Sequence, residues 1–68
     1  MSDIRVAMAR KAHQDSLEKR DEAHRFRQLR DNYIRELRAD DPKRWTYQAL
    51  ADQVGCSLEL VAYIVRGA

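Results

Sequence analysis

Sixty-eight residues, 35% of them charged and only 7% aromatic, bound the chain to one small domain with a modest core. A single cysteine excludes an internal disulfide, and no apolar run is long enough to span a membrane or to serve as a signal peptide near Met1. A cytoplasmic protein is therefore expected, and with one proline and two glycines it should be almost wholly helical.

Residues 1–21 form the first segment, expected to be a helical arm or dimerisation segment. Ile4, Met8 and Ala12 share one helix face, but Asp15, Lys19 and Glu22 interrupt that face further on. Three arrangements fit: a long helix protruding from the domain, two helices with a bend near residues 13–16, or a frayed arm. The absence of Gly and Pro throughout residues 1–41 favours the first. The apolar face needs a cover, and a second protomer supplies one, with Leu17 widening the contact. The competing assignment is a basic arm in which Arg5, Arg10 and Lys11 follow phosphates.

Residues 22–68 are expected to form a three-helix helix-turn-helix domain. Its first helix covers residues 22–39, where Phe26, Leu29, Tyr33 and Leu37 recur at three- and four-residue steps. Arg25, Arg27, Asp31, Arg35 and Arg38 take the opposite face. Pro42 ends this helix near residues 39–41, because the residue before a proline avoids helical geometry. In the connection that follows, Lys43 and Arg44 stand ahead of the next helix, where they could hold a phosphate.

Residues 46–67 carry the most informative pattern. Thr46 can N-cap one short helix and Ser57 a second, with Trp45–Leu50 and Cys56–Val61 placed as hydrophobic staples. Gly55 suits a turn of positive φ, and Gly67 suits the position just past the last helix. Two helices crossing steeply need a small residue where their backbones approach, and Ala51 supplies it, while Leu50, Val54, Val61 and Ile64 fall inward. An ordinary helical bundle would share the apolar periodicity but not the whole of this spacing.

Catalysis and metal binding find little support. His13 and His24 lack ligand spacing, no glycine-rich phosphate loop exists, and Cys56 has no base partner, so neither an enzyme nor a cofactor is expected.

The Ala51–Gly55–Val61–Ile64 spacing resembles that of compact helix-turn-helix regulators, such as phage repressors, Cro-like proteins and excisionase-like proteins, over residues 25–67. The resemblance implies a transcriptional regulator, with double-stranded DNA as partner and a homodimer through residues 1–21 on paired half-sites. It places Ser57, Leu58, Glu59, Ala62, Tyr63 and Arg66 against DNA, with Arg66 suited to guanine. Two alternatives share the shape: a protein-interaction module, and a DNA-binding subunit of a phage recombination or packaging complex. Charge sets a discriminating condition. Residues 1–44 hold 12 Lys/Arg against 9 Asp/Glu, whereas residues 45–68 hold only Arg66 against Asp52 and Glu59, so the reading helix is nearly neutral.

Overall fold

A computed structural model describes residues 3–67. The all-α expectation holds: α1 (Ile4–Glu18), a 3-10 turn (Arg20–Glu22), α2 (Ala23–Asp40), α3 (Tyr47–Val54) and α4 (Leu58–Arg66) follow in order, with no strand among the described residues.

The N-terminal segment does not run on into α2. Helix α1 starts at Asp3, whose carboxylate accepts the Arg5 backbone N–H at 2.9 Å, and stops at Lys19, where φ −113° and ψ 86° leave helical geometry. The chain then reverses through the 3-10 turn. Arg5 pairs with Asp40 at one end of the hairpin and Arg30 with His13 further along, so α1 and α2 lie antiparallel. A continuous helix would have left Val6, Ala9, Ala12 and Ser16 in water; folding back buries them. These are small residues, and small residues let two helices approach closely. Ile4 and Met8, expected to meet a second protomer, are 75% and 42% exposed in the single chain, whereas Ala12 of the same expected face is buried against α2.

Val6 and Ala9 join Ile34, Leu37, Trp45, Leu50, Ala51, Val54, Val61 and Ile64 in one core to which all four helices contribute. On α2 the inward row is Ala23, Arg30, Ile34 and Leu37, rotated from the expected stripe so that Leu29 is 41% exposed.

The last three elements follow local rules. Asp41 closes α2 one residue before Pro42, its N–H donating to the Leu37 carbonyl at 3.1 Å. Trp45 N–H donates to the Asp41 carbonyl at 2.8 Å, and Arg38 donates to the carbonyls of Pro42 and Trp45 at 2.9 and 3.2 Å. These bonds fix the connection. The Thr46 hydroxyl caps α3 by accepting Ala49 N–H at 3.1 Å, and Ser57 caps α4 by accepting Leu60 N–H at 3.1 Å. Gly55 turns between them at φ 86°, and both Gly55 and Cys56 donate backbone N–H groups to the Ala51 carbonyl. A Cβ at Gly55 would meet nothing within 4 Å, so the glycine answers the backbone angle and not a crowded space.

Candidate nucleic-acid interface

Helix α4 buries Val61 and Ile64, with Leu60 and Val65 partly covered, and this sets what its other side presents. Glu59, Tyr63 and Arg66 are exposed at steps of four and three residues, and Ala62 lies half-buried among them. Tyr63 is 62% exposed. Leu58 is exposed on a neighbouring line, and the exposed Ser57 spends its hydroxyl oxygen on the N-cap bond. The outer face of α4 thus offers one aromatic ring, one cation and one carboxylate.

Lys43 and Arg44 are exposed in the connection before α3. The Arg44 guanidinium lies over the Trp45 indole at 4.7 Å from the ring centroid and lines a cleft with Val6, Trp45, Ala49 and Gln53. That places Arg44 beside α1, whereas α4 packs on α2 and α3. The eight expected site residues therefore fall into two patches.

Sequence reasoning placed Arg35 and Arg38 on the polar face of α2 without their contacts, and did not single out Arg30. The Arg35 Nε donates to the Ile64 carbonyl at 3.1 Å, which brings an exposed guanidinium to the last turn of α4, near Arg66 in the chain. Cations there also complement the negative end of the helix. Arg38 stacks over Tyr47 at 4.8 Å and is occupied in holding the connection. Arg30 is buried, at 6% exposure; its Nε donates to the Asp31 carboxylate at 2.9 Å and its Nη1 to His13 Nδ1 at 3.0 Å. The only available signal was register: Arg30 falls in line with Ala23, Ile34 and Leu37.

The Arg30 contact also fixes the state of His13. Arginine has protons to donate and no lone pair to offer, so Nδ1 must be the bare nitrogen of a neutral ring. Burial, and then the positive charge of Arg30, hold the imidazole below its usual value of 6.5. In the unfolded chain His13 takes up a proton near 6.5, and in the fold only at lower pH. Its contribution to stability is therefore present above 6.5 and is lost as pH falls from there through the lower folded value. Urea titrations at pH 7.5 and 5.5 should show a lower stability at the acidic value, and His13→Gln should flatten that difference. An equal pH dependence in the variant would remove His13 from the account.

Burial raises the Cys56 thiol above its usual range, which disfavours a reactive thiolate. Among the described residues no group of three or more His, Cys, Asp or Glu side chains could hold a metal, and no helix is long and apolar enough to cross a membrane.

A family model described as mitochondrial ribosomal protein subunit L20 matches residues 2–68. No curated protein and no solved structure matches the chain. The family match overturns the resemblance to phage repressors, Cro-like and excisionase-like proteins, and with it the assignment as a transcriptional regulator. Double-stranded DNA as partner, a homodimer through residues 1–21 and a cytoplasmic location are corrected on the same finding. The physical reason lies in the motif. Ala51, Val61 and Ile64 pack into the core and Gly55 turns the chain between α3 and α4, and that arrangement says nothing about what the outer face touches. The outer face of α4 offers Arg66 and Tyr63 as donors, but Glu59 offsets the charge of Arg66 and the helix carries no Lys, Asn or Gln. Residues 2–68 are nearly the whole sequence, and the chain belongs to the mitochondrial ribosomal protein subunit L20 family.

Proposed function

We propose that this chain is a non-catalytic structural component of the mitochondrial ribosome, held there by contacts with ribosomal RNA. The family match over residues 2–68 carries this reading. Two surface patches support it. Lys43 and Arg44 form one, and Arg35, Tyr63 and Arg66 form the other, with Ser57, Leu58, Glu59 and Ala62 completing the surface of α4. Folded RNA presents phosphates and unstacked bases at irregular spacing, and separated cations with an exposed aromatic ring suit such a target better than a continuous groove. Glu59 disfavours a phosphate beside the first turn of α4, so Arg66 and Arg35 take the backbone at its other end.

The test is sedimentation of mitochondrial lysates from cells expressing a tagged chain. The protein should travel with ribosomal particles, and raised salt should release it. Each phosphate contact removed, for instance by Lys43→Ala or Arg66→Ala, should lower the steepness of log affinity against log salt by about 0.7–0.9. A wild-type chain that stays at the top of the gradient at low salt would overturn the ribosomal assignment. Normal salt release of both variants would instead move the RNA contact away from these patches.

A further inference from the structure

The cleft beside Arg44 has a construction that neither patch requires for charge alone. It holds about 240 Å³ and is built from three parts of the chain: Val6 of α1, Arg44 and Trp45 of the connection, and Ala49 and Gln53 of α3. Ala49 and Gln53 are four residues apart and so share one helix face. Trp45 is buried and its backbone is pinned by Asp41 and Arg38, so the guanidinium stacked on its indole is a plane mounted on a fixed base. Val6 and Ala49 supply small apolar surface. Gln53 is exposed at the same cleft and carries both a hydrogen-bond donor and an acceptor on one planar group. The nearby Asp3 and Asp40 carboxylates are both engaged by Arg5, which limits their repulsion of an incoming phosphate.

We propose that this cleft receives one unpaired nucleobase of ribosomal RNA, an inference that rests on the ribosomal reading above. The base lies flat against the Arg44 guanidinium, as unstacked RNA bases do on arginine planes. The Gln53 carboxamide pairs with its edge, and adenine, which offers an adjacent donor and acceptor, is the base a glutamine pairs with in two bonds. Lys43, next in the chain, takes a flanking phosphate. The groove between α1 and α2, lined by Met8, Lys11, Ala12, Asp15, Phe26, Leu29 and Tyr33, has more apolar surface, and its Lys11 and Asp15 side chains are paired with each other at 3.2 Å.

Chemical probing of base edges in mitochondrial ribosomal particles tests the assignment. Particles are prepared with the wild-type chain, with Gln53→Ala, with Ala49→Leu to fill the cleft, and with Arg25→Ala on a different surface as a control. A single-stranded base, adenine by preference, should be protected by the wild type and by the control. It should become as reactive as in protein-free RNA with either cleft variant, while those variants still sediment with the particles. If both cleft variants sediment normally and no base gains reactivity, the nucleobase assignment is wrong and the ribosomal reading stands. Cross-links from position 53 to a ribosomal protein instead of RNA would also overturn it, in favour of a peptide in the cleft. A wild-type chain absent from the particles would defeat the ribosomal reading and this inference together.

Discussion

Ile34→Ala should lower the melting temperature by at least about 8 °C, because truncating a buried isoleucine costs about 2–5 kcal/mol and each kcal/mol moves a domain of this size by about 4–8 °C. Ile34 has no exposed surface and belongs to the core that all four helices share. Its removal leaves a cavity that neighbours on several elements would have to close together. The cost is a large fraction of the stability of an ordinary domain, about 5–15 kcal/mol, and short chains sit at the lower end. Leu29→Ala is the informative companion. Leu29 was expected in the buried stripe of α2 but is partly exposed, so its truncation should cost well under half as much. Thermal unfolding followed by far-ultraviolet circular dichroism separates the two. Equal losses would mean that α2 presents the Phe26–Leu29–Tyr33 line to the core after all.

The contrast between these residues shows where sequence reasoning worked. Thr46, Ser57, Gly55 and Gly67 were legible because a cap or a turn is decided within three or four residues, and each stands in the backbone geometry expected of it. The end of α2 before Pro42 was legible for the same reason. The reversal at residues 19–22 was not. It contains neither glycine nor proline, and its cause is tertiary: burying Val6, Ala9, Ala12 and Ser16 on α2 outweighs a few broken helical hydrogen bonds. Side-chain size misled as well. Ile4, Met8 and Leu17 are the larger hydrophobes of α1, but the close hairpin favours the smaller ones.

Arg30 was hidden by its charge, since an arginine is assigned to the surface unless its partners are known. Asp31 is adjacent in the chain, but His13 lies seventeen residues away, and that pairing follows only once the hairpin exists. For the site, Lys43, Arg44, Tyr63 and Arg66 were identifiable as exposed groups. Arg35 was placed on the polar face of its helix but, like Gln53, could not be assigned to a patch, because the neighbours of both come from other helices. Function was the least legible, since the motif that dominates the sequence describes an internal crossing of helices.

That crossing supplies the second large effect. Ala51→Leu should destabilise the fold by about 1–3 kcal/mol, or about 4–8 °C for each kcal/mol, through overpacking. Ala51 is a buried residue of α3, and its carbonyl accepts the N–H groups of both Gly55 and Cys56. A leucine there meets packed side chains on one side and a hydrogen-bonded backbone on the other, so the strain falls on the angle between α3 and α4. Ala51→Ser, which adds one oxygen within reach of the helix carbonyls, should be much milder. Because α4 carries Tyr63 and Arg66 while α1 and α3 frame the Arg44–Gln53 cleft, the leucine variant should also disturb the two surface patches unequally. In particles that retain the variant, RNA protection near α4 should weaken before protection at the cleft does. An unchanged melting temperature would show that the helices do not depend on a small residue at position 51. A lowered one with both patches lost together would show that the fold yields as a unit instead of at the crossing.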